Sequence, residues 1–244
     1  MRKITGNKKV FFMVGVMCLL GFVIFSRYVR TGIFNHFDFA TTVKLQERID
    51  SSTHLRLADV VGNVMEGSTF FAGPEFSLVF LLVLTGIVCV DVKKKKFHLR
   101  GLLIPVLFGL LVFIEIYGKT VIHHPAPPFY MIKNPTSIFP KYYINDQFSY
   151  PSGHTARAVF LGLSLYSLCI IHKSKFKGNK LIVSVSLGII AYVILVAISR
   201  IYLGHHWFSD IIGGAFLGLA MWFFCWSMYG LLTRGPSSHI IPKQ

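Results

Sequence analysis

Positions 181–199 read LIVSVSLGIIAYVILVAIS, a run of 19 residues without a charged side chain. An α-helix needs about 20 predominantly apolar residues to cross the hydrocarbon core of a bilayer. Further uncharged runs occur at 10–26, 76–90, 101–114, 158–171 and 211–233. The shorter runs reach spanning length with their flanks, and the fourth is expected to begin near Gly153. We therefore predict an all-α fold, a single-domain bundle of six transmembrane helices over residues 1–244.

The charge distribution supports a membrane protein and gives its orientation. Only 14% of the residues are charged, whereas soluble chains carry about 25%. Fifteen of the 25 basic residues lie in clusters at 2–9, 93–100, 173–180 and 234–243. With six spans these clusters share one side, which the positive-inside rule makes the cytoplasmic side. We expect cytoplasmic N- and C-termini, a retained first helix and no nucleic-acid partner.

The segments predicted to face outward are 27–75, 119–150 and 200–208. Within the first, Phe39–Leu57 mixes apolar and charged residues. This pattern predicts an interfacial amphipathic helix or, equally well, a helix packed on the outer loops. The second segment contains five prolines, which exclude a continuous helix. A long irregular stretch of this kind usually carries function, so we expect an active-site loop there.

Ionisable residues gather where the predicted spans meet this outer face. His206 and Asp210 are spaced i, i+4 at the start of the sixth span and therefore share a helix face. The carboxylate can accept the proton of one imidazole nitrogen and leave the other nitrogen free to attack. His154 begins the fourth span, and a protonated imidazole there can donate to a leaving alkoxide as a general acid.

The remaining residues of this constellation suit an anion. Ser152 and Gly153 precede His154 at a helix N-terminus, where unpaired N–H groups and the helix dipole favour negative charge. Lys119 and Arg200 end the third and fifth spans, close to the hydrocarbon boundary where an uncompensated charge is costly. A guanidinium matches phosphate oxygens especially well, so we predict a phosphate site.

These residues resemble the type 2 phosphatidic acid phosphatase family, which is related to vanadium-dependent haloperoxidases. Its motifs are written KxxxxxxRP, PSGH and SRxxxxxHxxxD, and the second and third are intact here at 151–154 and 199–210. The resemblance covers 119–210 most closely. It implies a histidine nucleophile that forms a phosphohistidine, an aspartate that orients it, a histidine acid and a phosphate cradle, with no metal and no cofactor. By this resemblance the nucleophile is His206, the orienting aspartate is Asp210 and the acid is His154. The phosphate cradle consists of Lys119, Ser152, Gly153 and Arg200.

The first motif departs from the family pattern. Seven residues after Lys119 the family has arginine, but this chain has Ala126 followed by proline. Candidate substitutes for that cation are His123, His124 and Arg157, and, further along the loop, Lys133 and Lys141. Glu115 lies four residues before Lys119 and is expected to set the position of that lysine.

The resulting expectation is a phosphatase at the outer face of a plasma or inner membrane. Its substrate would be a lipid phosphomonoester or pyrophosphate, such as a prenyl pyrophosphate, phosphatidylglycerol phosphate, phosphatidic acid or a lipid-linked sugar phosphate. An alternative is a phosphotransferase in which an alcohol replaces water. A non-catalytic lipid-binding relative is disfavoured because both histidines are kept. A transporter is disfavoured because its ionisable groups usually lie near the midplane.

Overall fold

The computed structural model describes residues 8–51, 55–91, 96–134, 147–171 and 179–232. Within these ranges the chain forms eight α-helices and one pair of two-residue antiparallel strands, β1 and β2 (Val90–Asp91 and Lys96–Phe97), between α4 and α5. The helices are α1 (Lys8–Arg30), α2 (Asn35–Asp50), α3 (Leu55–Phe71), α4 (Pro74–Cys89), α5 (Leu103–Ile122), α6 (Gly153–Ile171), α7 (Asn179–Tyr202) and α8 (Phe208–Leu232).

Each of the six uncharged runs falls in a helix, namely α1 or one of α4 to α8. Among the described residues, 4 helices are long and apolar enough to span a bilayer, and the pair α3–α4, bent by 52°, would make 5. The helix α6 is not among them, although it begins at Gly153 as predicted. The all-helical membrane fold is thus confirmed, whereas six spans remain a prediction.

The outer segment before α4 differs from the expected single helix over Phe39–Leu57. It forms α2, which ends at Asp50, and α3, which begins at Leu55. Gln46 Nε2 donates hydrogen bonds of 2.8 Å to two backbone carbonyl oxygens, those of Met131 and Tyr202. These bonds hold α2 against the end of α7 and the segment around Met131, while a position at the membrane surface stays a prediction.

The helix α8 is the centre of the bundle. In the most apolar stretch of α8, 56% of the residues are buried, against 11% in α7 and 17% in α1. Its core partners are large side chains on α4, α5 and α6, namely Leu84, Leu111 and Phe160. Large apolar side chains on the outer helix faces stay exposed, which suits a lipid surround. Examples are Met17, Leu82, Phe113 and Leu187.

A close approach of α6 to α8 brings two of the motifs together. A Cβ at Gly214 would lie 2.4 Å from the backbone oxygen of Ser152, so only glycine fits there. The Ser152 N–H also donates a 3.0 Å hydrogen bond to the Asp210 carbonyl oxygen. The first turn of α6 is therefore held against the first turn of α8.

Candidate active site

The connection between α7 and α8 forms a tight turn. Gly204 has φ of +68°, and a Cβ there would overlap the Met131 carbonyl oxygen, so glycine is required. The backbone N–H groups of His205 and His206 both donate to the Arg200 carbonyl oxygen at 3.1 Å. This turn places two histidines beside the end of α7, where the arginine lies.

His206 and Asp210 contact each other as their spacing predicted. His206 Nδ1 lies 3.3 Å from Asp210 Oδ2, which also accepts a 2.9 Å hydrogen bond from the Trp207 N–H. Burial lowers the pKa of His206 to about 4, although the Asp210 hydrogen bond opposes this effect. The imidazole is therefore neutral near pH 7, and Nε2 is the ring nitrogen with a free lone pair.

A cavity of about 380 Å³ opens beside this pair. Its walls come from α3 to α7 and from the loops that precede α6 and α8. The residues singled out in the sequence that line the cavity are Glu115, Lys119, Ala126, Lys133, His154, Arg157, Arg200 and His206. Segments far apart in the chain thus meet at one site.

Arg200 is the most informative residue in the cavity. Its side chain is only 3% exposed, and its Nε and Nη2 atoms have no hydrogen-bond partner among the described residues. Buried donors are almost always paired, because an unpaired one costs about 1–3 kcal/mol and a charged one costs more. An anion in the cavity would satisfy both nitrogens.

Arg157 reaches the same cavity from α6. Its Nη1 donates a 2.7 Å hydrogen bond to Glu115 Oε2 on α5, and both side chains are largely buried. Glu115 thus forms an ion pair with Arg157, a partner that the sequence did not suggest. A Cβ at Gly153 would overlap the Glu115 carboxylate. Gly153 therefore makes room for this ion pair, a steric role that the motif alone did not reveal.

The two loop histidines lie apart from the cavity lining. His123, with φ of 55°, ends α5, and its ring centroid lies 4.7 Å from that of Phe148. His124 Nδ1 lies 2.9 Å from Asp210 Oδ1. Of the candidate substitutes for the missing arginine, Arg157 lines the cavity, as does Lys133 of the loop.

Two predicted phosphate contacts, Ser152 and Gly153, are also absent from that lining among the described residues. Ser152 is fully buried, and its hydroxyl lies 3.2 Å from Thr155 Oγ1. These residues form the first turn of α6, whose backbone N–H groups have no intrahelical acceptors. Lys141 of the long loop lies outside the described residues, whereas Lys133 lines the cavity.

The sequence missed two residues of the site. His205 lines the cavity, and neither ring nitrogen has a partner among the described residues. Burial and the Arg200 charge lower its pKa to about 2, so the ring is neutral. Its place beside His206 inside the third motif was an available signal. Asp38 on α2 contacts Ser209 of α8, and no local pattern pointed to it.

The cavity has no evident metal-binding group. In the described parts of the chain, no three His, Cys, Asp or Glu side chains are grouped to hold a metal ion. The polar lining consists mainly of cations and histidines, of which His205 and His206 are neutral, together with the carboxylates of Glu66, Glu75 and Glu115. The arrangement is suited to an anion whose charge the cations neutralise.

An all-helical bundle with apolar outer faces and a buried, cationic, histidine-bearing cavity defines an integral membrane protein with an anion site. Residues 75–234, which include the second and third motifs, match the PAP2 superfamily. The chain belongs to that superfamily, so the family resemblance seen in the motifs is confirmed.

Known relatives are lipid phosphatases by name. Phosphatidylglycerophosphatase B of Bacillus subtilis (strain 168) is 30% identical over 163 residues, which are 67% of this chain and 72% of that protein. The probable lipid phosphate phosphatase beta of Arabidopsis thaliana is 29% identical over 137 residues, 50% of this chain and 62% of that one.

A solved structure shares the fold. It is the crystal structure of a transmembrane PAP2-type phosphatidylglycerolphosphate phosphatase from Bacillus subtilis, with a TM-score of 0.66 and 24% sequence identity. The match covers 86% of this chain and 93% of that one. The bundle is thus the helical arrangement of a PAP2 membrane protein.

Proposed function

We propose that this protein is a membrane phosphatase that removes phosphate from a lipid, with His206 as the nucleophile and Asp210 as its partner in a catalytic dyad. The observation that carries the proposal is the cavity itself. Arg200 places two unpaired, buried donor nitrogens in the same 380 Å³ space that His206 lines. A phosphate there would meet both a nucleophile and a compensating charge.

The proposed reaction has two steps. His206 Nε2 attacks phosphorus and forms an N–P bond while the P–O bond to the lipid breaks. The leaving oxygen takes a proton from His154, which acts as general acid. Water then attacks the phosphohistidine and gives a proton to His154, and the N–P bond breaks to release phosphate. The Asp210 carboxylate accepts the Nδ1–H bond throughout and stabilises the ring charge.

The phosphate cradle would consist of Arg200, Arg157 and Lys119, together with the first N–H groups of α6. Arg157 would take the place of the arginine that the family carries at position 126. Two guanidinium groups around one phosphate stabilise the charge that spreads over its oxygens in the transition state. No step needs a metal ion, and we expect activity to persist in a chelator.

An apolar cavity of about 450 Å³ lies beside the site, between α4, α6 and α7. Its lining includes Phe71, Phe76 and Ala158, which directly follow or neighbour residues that line the phosphate cavity. An amphiphile would fit this arrangement because its phosphate and its hydrocarbon chain need adjacent polar and apolar space. Lipid phosphate is therefore favoured over a soluble phosphate ester.

We propose phosphatidylglycerol phosphate as the first substrate to test, because two similar proteins carry that activity in their names. Prenyl pyrophosphates, phosphatidic acid and lipid-linked sugar phosphates share the required chemistry. A lipid phosphotransferase would use the same phosphohistidine with an alcohol acceptor. Product analysis with a lipid alcohol present distinguishes transfer from hydrolysis.

The proposed topology has six spans, cytoplasmic termini and the active site at the outer face of a plasma membrane. Its support is the placement of the basic clusters. Two of these clusters precede α5 and α7, whereas the cavity lies at the C-terminal ends of the same helices. Labelling of single cysteines from either side of sealed vesicles tests this orientation.

The decisive experiment is phosphate release from a panel of lipid phosphates by the purified protein in detergent, with EDTA present. We expect turnover for the wild type and none for His206→Ala. We also expect an acid-labile phosphate label on the wild-type protein only, as a phosphohistidine would give. Asp59→Asn, a change in α3 outside the site, is the matched control and should keep full turnover. Near-wild-type turnover of His206→Ala would refute the mechanism.

A further inference from the structure

Both oxygens of the Asp210 carboxylate are engaged by histidines. Oδ2 lies 3.3 Å from Nδ1 of His206, and Oδ1 lies 2.9 Å from Nδ1 of His124. An ionised carboxylate only accepts hydrogen bonds, so each of these Nδ1 atoms carries the hydrogen. All three side chains are buried. The bond to His124 is the shorter of the two, although the family motifs assign no role to this position.

His124 also faces a second buried carboxylate. Its Nε2 lies 3.8 Å from Asp38 Oδ2. Asp38 comes from α2 and accepts two hydrogen bonds from Ser209, at 2.9 Å from the N–H and 2.7 Å from the hydroxyl. Because Ser209 lies in the first turn of α8, Asp38 also supports the helix that carries Asp210. Asp38, His124, Asp210 and His206 thus form one buried chain.

The backbone explains why His124 faces inward. The left-handed conformation of His123 ends α5 and redirects the chain. The His124 carbonyl oxygen then accepts a 3.0 Å hydrogen bond from the Ser149 N–H, which ties the end of α5 to the segment that leads into α6. The imidazole is therefore held by backbone contacts as well as by the two carboxylates.

We propose that His124 is a positioning residue: its Nδ1–H holds Asp210 Oδ1, so that Oδ2 stays aligned with His206. This inference rests on the proposed nucleophilic role of His206. A carboxylate held at one oxygen only can rotate about its χ2 bond, and misalignment of an orienting group reduces turnover. Asp38 would keep the His124 ring in place by facing its second nitrogen.

A role as phosphate ligand is less consistent with the structure. Each ring nitrogen of His124 faces a carboxylate, and the side chain does not contribute to the cavity lining among the described residues. A phosphate ligand needs a donor directed into the cavity. The two roles predict different kinetics, since a positioning residue affects kcat and a ground-state ligand affects mainly KM.

Three substitutions at one position test the proposal. In His124→Asn the amide nitrogen falls close to the place of Nδ1, whereas in His124→Gln it falls close to the place of Nε2, and His124→Ala has no donor. We expect His124→Asn to keep kcat within about threefold of the wild type. We expect Gln and Ala to lose about 10- to 100-fold in kcat, as removal of groups that orient a functional side chain typically does, with KM unchanged.

Asp38→Asn supplies a second, independent variant. It keeps an acceptor for Ser209 but removes the charge that faces His124, so we expect a smaller loss of kcat. That loss should largely disappear in the His124→Ala background, because the two residues act in one chain. Additive losses would contradict the proposal, as would equal kcat values for His124→Asn and His124→Ala.

The assay separates failure of this inference from failure of the proposed function. Wild type and His206→Ala are measured on the same lipid phosphate, and active wild type with inactive His206→Ala establishes the dyad first. A rise in KM at constant kcat in His124→Ala would then overturn the positioning role alone. Thermal unfolding in detergent shows whether each variant is folded. If His124→Ala is not folded, the comparison of His124→Asn with His124→Gln tests the proposal.

Discussion

Exchange of Arg157 tests whether this residue binds phosphate or only neutralises Glu115. Its Nη1 lies 2.7 Å from Glu115 Oε2, which corresponds to a gross attraction of about 6 kcal/mol at an effective dielectric constant of 20. Desolvation offsets part of this attraction. Removing one partner of a buried pair typically costs about 3–5 kcal/mol, so Arg157→Met should lower the thermal stability clearly.

The effect on activity has a different origin. A hydrogen bond to a charged group contributes about 1.5–3 kcal/mol, which corresponds to about a 10- to 150-fold loss in kcat/KM for Arg157→Met. The double variant Glu115→Gln/Arg157→Met removes both charges of this pair. We expect it to recover the midpoint of thermal unfolding but not kcat/KM, measured by phosphate release in detergent.

A substitution at position 126 is expected to rescue kcat/KM. Ala126 lines the same cavity, and arginine stands there in the family pattern. Ala126→Arg should therefore restore much of kcat/KM in the double-variant background, whereas Ala126→Leu, which adds bulk without charge, should not. Recovery of kcat/KM by the double variant alone would refute the reasoning, since Arg157 would then serve only to neutralise Glu115.

Two further predictions concern Arg200 and His206. Arg200→Met should lose more than about 100-fold in kcat/KM, and Arg200→Lys should recover part of it, because lysine keeps the charge but not the two-pronged geometry; wild-type activity of Arg200→Lys would contradict a bidentate contact. Because burial lowers the pKa of His206 to about 4, its neutral form persists down to that pH. The acidic limb of kcat/KM in the wild type should therefore fall near pH 4, and an acidic limb near pH 6.5 would contradict the assigned environment.

Local signals in the sequence anticipated much of the molecule. Each uncharged run forms a helix, because a run of that composition has to satisfy its backbone hydrogen bonds internally in an apolar environment. The contact between His206, in the turn before α8, and Asp210, in the first turn of that helix, and the start of α6 at Gly153 were predicted from nearby residues. These features depend on neighbours in the sequence.

Other features had no local signal. The pairing of Arg157 with Glu115 joins two helices through residues 42 positions apart. Which of the candidate cations enters the cavity depends on how each helix is rotated about its axis. The stretch Phe39–Leu57 was expected to form a helix, but α2 ends at Asp50 and α3 begins at Leu55. The reason for burying Asp38 becomes visible only when Ser209 and His124 are beside it.

The sequence by itself therefore determined the family and the helical class and predicted the nucleophile with its aspartate, because motif spacing and apolar run length are local properties of the chain. Only the tertiary structure decided which cations share the cavity and which side chains contact the aspartate. Those properties arise where α2, α5, α6 and α8 meet, and buried polar groups there are stable only with partners that the fold brings from distant parts of the chain.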